Sequence, residues 1–247
     1  FMIRSGLSYK LGKWLQPFLG ILFHLPSQML YVIFMGFLCG FPMGAHVTAQ
    51  LYERKQLTKN EAEYLLSFCN NIGPVYFVSF ALPVIGIRNT SLALLGMYGI
   101  PLLYGLILRY TSYAGKISGK ESKKEKYLSE ISLLEALDES VISALSGITK
   151  LGGYMIIFNL LYIFPQLLLG NRATCFLGCL FEITGGLQIL KNELPILSLS
   201  MLTFGGLSCL AQTYGMIKNT NLSIYHYILH KLILTFFSFV YYFFVVL

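Results

Sequence analysis

Charge is what this sequence has least of. Asp, Glu, Lys and Arg make up 12% of its 247 residues, about half the share of an average soluble domain. Cysteine is sparse and never forms a CxxC pair: Cys39, Cys69, Cys175, Cys179 and Cys209 all lie in apolar stretches. They read as small buried hydrophobes, with a path for a soft metal as the other reading. No HExxH, GxSxG, P-loop, ATP-binding module or dinucleotide fingerprint occurs. These absences argue against an enzyme and against a resident cofactor or metal. They leave an ion gradient, a substrate gradient or a partner chain as the source of energy. No signal peptide is visible and the first residue is Phe1, not Met, so the expectation is a piece that lacks at least one N-terminal helix.

What is abundant is apolar. Hydrophobic residues reach 55%, with 17 Tyr and 19 Phe, and the mean hydropathy is +0.66. The tyrosines and phenylalanines suit interfacial belts. An all-α polytopic membrane protein in contact with a lipid bilayer follows. Spans are expected at Val75 to Ile87 with its upstream helix, Ser91 to Leu108, Leu151 to Gly170, Leu194 to Ile217 and Tyr225 to Leu247. These runs are continuously apolar, whereas a β-barrel needs alternating strands.

Two further apolar segments are interrupted. Met29 to Tyr52 breaks at Gly40-Phe41-Pro42-Met43-Gly44, and Ala173 to Leu190 breaks at Glu182-Ile183-Thr184-Gly185-Gly186. Each arm has about ten residues, roughly half a crossing. Interrupted segments at corresponding places in two halves of a membrane protein point to a substrate site. Each is expected to form a re-entrant helical hairpin.

The net charge of +7 does not indicate nucleic acid, because of where it sits. Arg109, Lys116, Lys120, Lys123, Lys124 and Lys126 fall in one loop, and Arg54, Lys55 and Lys59 in one turn. The positive-inside rule puts both on the cytoplasmic side. Counting crossings from there leaves Arg88, Arg172 and Lys191 outside, and the two hairpins enter from opposite faces. The pattern of hairpin, broken helix and plain helix then occurs twice as an inverted repeat. The expected organisation is a first repeat over 1–110, a basic cytoplasmic loop over 111–126 and a second repeat over 127–247. The second begins with an amphipathic helix, Leu128 to Thr149, lying in the interface. Tyr9 to Phe23, closed by Pro26, reads similarly, with Trp14 as interfacial anchor.

Non-helical backbone at membrane depth survives only where protein or a water-filled cavity satisfies it. Candidate substrate-binding residues therefore cluster at the interruptions. Gly40, Pro42 and Gly44 form the first tip, where half-helix N–H groups favour an anion. His46 follows it. Thr58-Lys59-Asn60-Glu61 has the form of a capping box and opens a helix that ends at Asn70 and Asn71. Two amides before Gly73-Pro74 bind either a ligand or the broken backbone. Ser208 and Gln212 follow the Gly205-Gly206 break of the later span. Glu182, with Thr184 and Gly185 at the second tip, either carries a coupling proton or caps its own hairpin, and His46 is a second titratable group. His226 and His230 have i,i+4 metal-ligand spacing but no carboxylate or cysteine nearby in sequence.

The blocks GFPMGAHVTAQL, EAEYLLSFCNNIGPVYFVSFA, LFEITGGLQIL and LTFGGLSCLAQTYGMIKNTNLSIYHYILHKL, in that order, resemble the sporulation integral membrane protein family of the YlbJ type. The resemblance runs from about Leu7 onward. It implies gate, or nucleoside-recognition, repeats like those of the ferrous-iron permease, distantly similar to concentrative nucleoside transporters. It further implies a mother-cell protein that moves dipicolinic acid, a small anionic aromatic acid, across the outer forespore membrane. By position it assigns the substrate to both tips, with Thr48 just after the first, and to both broken helices. A metal-ion or nucleoside permease, or a non-transporting gate-domain subunit, remains the other reading. A homo-oligomer or a membrane partner is compatible with each.

Overall fold

The computed structural model describes residues 1–3, 5–117, 133–168 and 177–246. Lys120, Lys123, Lys124, Lys126, Leu128, Asn171, Arg172 and Cys175 lie outside the described residues. Every regular element described is helical.

Helix α1 (Leu7–Phe23) meets α2 (Ser27–Leu38) at a bend of 92°. Trp14 is exposed on α1. Gly12 permits the close approach, since a Cβ there would lie 2.0 Å from the Ser27 carbonyl oxygen. After α2 the chain turns through Gly40, at φ +82°, and a cis Phe41–Pro42 bond into α3 (Met43–Glu53). The first hairpin is thus two half-length helices, as its glycines and proline predict. The capping box is present at α4 (Lys59–Leu66): Glu61 N–H donates to Thr58 Oγ1 at 3.3 Å, and Thr58 N–H to Glu61 Oε2 at 2.8 Å. The chain is then non-helical over Asn70–Gly73 and resumes as α5 (Pro74–Ile85). Asn89 Oδ1 accepts from Leu92 N–H at 3.2 Å to start α6 (Thr90–Tyr110).

Helix α7 (Leu133–Leu168) corrects one expectation. From Leu133 to Leu168 the amphipathic stretch runs without a break into the apolar span expected after it, as one 36-residue helix and not two. Gly152 and Gly153 do not break it, because a helical glycine costs only about 1 kcal/mol while an unbonded backbone group in lipid costs several. At 1.5 Å per residue α7 is about 54 Å long, well beyond the roughly 30 Å hydrocarbon core. Helical residues 177–181 follow. Then come α8 (Ile183–Leu190), α9 (Pro195–Phe204), α10 (Gly206–Ile217) and α11 (Ile224–Val246).

Among the described residues four helices are long and apolar enough to cross a membrane, or five if α1 and α2 count as one bent span. The protein is an integral, multi-pass membrane protein. Burial separates the crossings by role: the apolar window of α7 is 6% buried, whereas that of the Pro195–Ile217 pair is 67% buried. The interrupted helix is interior and α7 faces lipid. One core cluster packs Ala45 and Ala49 of α3 with Leu66 of α4, Leu210 and Ile217 of α10 and Tyr227 of α11, joining elements from both ends of the sequence. Not all aromatics form belts. Tyr64, Tyr227 and Tyr242 are fully buried, and their hydroxyls, like that of Tyr98, bind inward: Tyr64 to Gly105 O at 3.0 Å, Tyr98 to Ile72 O at 3.0 Å and Tyr242 to Ala93 O at 2.9 Å.

Candidate functional site

The four interruptions are joined by a chain of close contacts. A Cβ on Gly40 would lie 2.5 Å from Gly73 N, and one on Gly44 2.4 Å from Cys69 O, so the first tip is pressed onto the first break. A Cβ on Gly186 would lie 2.2 Å from Cys179 N, so the second hairpin closes on itself, and one on Gly206 3.0 Å from Cys179 O, so that hairpin is pressed onto the second break. Gly205, at φ +86°, faces the Phe41 ring of the first tip. Tyr76 of α5 donates to Thr184 Oγ1 of the second tip at 3.2 Å.

Asn70 is the hub of the buried polar groups. Its Oδ1 accepts from Ala45 N–H at 3.4 Å, a free donor of the first turn of α3. Its Nδ2 donates to Thr213 Oγ1 at 2.8 Å and to the Tyr227 hydroxyl at 3.0 Å. One side chain thus ties the first break to α3, α10 and α11. Asn71 turns the other way. Its Nδ2 donates to Phe68 O at 2.7 Å, while its Oδ1 accepts from Lys231 Nζ at 3.2 Å.

Lys231 is 1% exposed. Besides Asn71, its ammonium donates to Thr203 O at 3.3 Å. That carbonyl lies just before the Gly205-Gly206 break, where the helical ladder is interrupted. Nζ also sits 4.7 Å from the centre of the Phe41 ring. Among the described residues no carboxylate lies within ion-pair distance of it.

Glu182, 3% exposed, occupies the N-cap position of α8. Its Oε2 accepts from Gly185 N–H at 2.8 Å and from Asn159 Nδ2 of α7 at 3.3 Å. Ser208 and Gln212 are buried and bound to each other, Gln212 Nε2 donating to Ser208 Oγ at 3.1 Å. Thr48 bonds back to Gly44 O at 2.7 Å. His46 is half-buried on α3, and no described hydrogen bond joins its ring to Glu182. Pro42 caps α3 at the tip.

His226 and His230 contact each other rather than carboxylates: their Nε2 atoms are 3.1 Å apart, Tyr113 binds His226 at 3.2 Å and Tyr104 binds His230. Among the described residues, no group of three or more His, Cys, Asp or Glu is placed to hold a metal ion. Cys69, Cys179 and Cys209 are buried and Cys39 is exposed.

Sequence reasoning missed Lys231, Thr213, Tyr227, Tyr76 and Asn159. Lys231 had a readable signal, being the one Lys, Arg, Asp or Glu in the Ile224–Val246 helix. An ionisable residue inside a span is costly and warrants a functional reading.

The chain is similar to the sporulation integral membrane protein YlbJ of Bacillus subtilis (strain 168). The two are 26% identical over 281 aligned residues, covering 94% of this chain and 67% of that protein. This similarity supports the resemblance carried by the four sequence blocks. No family model matches the chain, and no solved structure matches it.

Proposed function

We propose that this chain is a transporter, not an enzyme, that moves a small anionic aromatic acid, dipicolinic acid, across the outer forespore membrane during sporulation. One observation carries the reading. The first tip and both interrupted helices meet at one buried polar cluster around Asn70, Asn71 and Lys231, and the second tip adjoins them through Tyr76 and Gly206. Discontinuous helices that converge within the membrane are a device of transport sites. The sporulation role of the similar Bacillus protein and the resemblance of the sequence blocks supply the substrate. A flat ring carrying two carboxylates suits a site with amide donors, one ammonium and the rings of Phe41 and Tyr227. The test is uptake into proteoliposomes with labelled dipicolinate, uridine and ferrous iron offered in parallel. Dipicolinate alone should accumulate. Uptake of iron that fails when the cysteines become serine would replace this reading with the permease.

The two hairpins enter from opposite faces in this proposal. Cysteines placed at Lys123 and Asn171 in a cysteine-free background should react with an impermeant thiol reagent from opposite sides. Labelling of both from one side would refute the inverted arrangement.

Glu182 supplies the coupling proton in the same proposal. A carboxylate left charged beside a dianion repels it, so taking up a proton favours loading. Glu182→Gln retains an oxygen to accept from Gly185 N–H and should fold. Substrate binding should persist while the pH dependence of net transport disappears. An unchanged rate and pH profile would leave the side chain as a helix cap only.

A further inference from the structure

We infer that the ammonium of Lys231 is the fixed counter-charge for a carboxylate of the transported anion. The inference rests on the transport reading above and names the group that recognises the substrate's charge.

A charged side chain is rarely buried in a membrane protein without a partner of opposite sign, because its desolvation is repaid only by strong pairing. Lys231 is buried within a span and has only neutral acceptors, an amide oxygen and a backbone carbonyl. None of the eight described carboxylates, Glu53, Glu61, Glu63, Glu135, Asp138, Glu139, Glu182 and Glu193, forms an ion pair with it. Glu182, the acid of the second tip, bonds to Gly185 and Asn159 instead. A carboxylate brought in from outside would supply the missing charge and form a charge-assisted hydrogen bond.

The placement of Lys231 also fits a substrate rather than a structural filler. Its ammonium touches the first tip at Phe41, the first break at Asn71 and the second break at Thr203. A carboxylate bound there would contact the three parts that a transport cycle must rearrange. A lysine needed only for packing has no reason to reach all three. Its Asn71 and Thr203 acceptors carry no net charge, so a carboxylate, which adds charge–charge attraction to the same hydrogen bond, can displace them.

The experiment measures binding to the purified full chain in nanodiscs, using labelled dipicolinate and its neutral diamide as competing probes. Lys231→Gln should weaken dipicolinate by about tenfold or more, the worth of a hydrogen bond to a charged group. Binding of the diamide should be largely unaffected, and Lys231→Arg should recover part of the loss. Asn71→Asp is a second, independent variant. It places a carboxylate on the ammonium from within, so it should raise the melting temperature and weaken dipicolinate. If Lys231→Gln and Asn71→Asp both bind dipicolinate as the parent does, the lysine is structural and the inference fails, while the substrate reading stands. If the parent ignores dipicolinate but binds benzoate, and Lys231→Gln abolishes that binding, the substrate reading fails and the counter-charge stands. A parent that binds no carboxylate overturns both.

Discussion

Replacing Asn70 by Ala should lower the stability of the protein by about 2–4 kcal/mol, because a buried polar group stripped of its partner costs about 1–3 kcal/mol. Three groups lose a partner together: the Ala45 N–H, the Thr213 hydroxyl and the Tyr227 hydroxyl. Thr213 can compensate by rotating toward its own helix backbone, which keeps the total below a simple sum. Tyr227 is fully buried and has less freedom. Thermal unfolding of the full chain in detergent measures the effect. Asn71→Ala serves as the contrast and should cost less, since Lys231 keeps Thr203 O and the Phe41 ring. Equal melting temperatures for the parent and Asn70→Ala would mean that Asn70 does not hold these elements together.

Gly36→Ala should be still more damaging. A Cβ at Gly36 would lie 1.8 Å from Cys69 O and 2.9 Å from Cys69 C, so the atom met is backbone and cannot rotate away. Inserting a methyl group into a tight core costs about 1–3 kcal/mol, and more where the neighbour cannot move. The expected result is a chain that is inserted but misassembled, with a broad or absent unfolding transition and no substrate binding. Gly152→Ala is the control. A Cβ there meets nothing within 4 Å, and Ala is the better helix former, so stability should hold or rise slightly. If Gly36→Ala unfolds as the parent does, the first hairpin is not packed on the break as described.

The interruptions were readable because glycine and proline inside an apolar run are conspicuous and have one main use. Gly40 and Gly205 adopt positive φ where the helices stop, and Thr58 with Glu61 forms the capping box that its spacing implies. The continuity of α7 was not readable. The change after Thr149 from an amphipathic to a continuously apolar pattern looks like a boundary, but lipid penalises a broken ladder more than it penalises the two glycines that follow. The site was half readable. Asn70, Asn71 and Glu182 stand out as polar groups in apolar surroundings, but their partners Thr213, Tyr227 and Lys231 lie far along the chain on α10 and α11. No local spacing connects them, and only folding makes them neighbours. Glu182 was left with two readings by the sequence, and its bond to Gly185 N–H shows the cap while leaving its proton role to the variant above.

The contacts among the four interruptions differ in kind. Within the first half they run backbone to backbone: Gly36 and Gly44 against Cys69 O, and Gly40 against Gly73 N. Within the second half they do so again, with Gly186 against Cys179 N and Gly206 against Cys179 O. Between the interruptions of the two halves the links are made by side chains, Phe41 on Gly205, Tyr76 on Thr184, Asn70 on Thr213 and Tyr227, and Lys231 on Asn71, with apolar packing around them. Main-chain contacts without a methyl group's clearance leave no play, whereas side chains can swing and exchange partners. In mechanical terms each tip is wedged against its own break, so a displacement at a tip should carry that break with it.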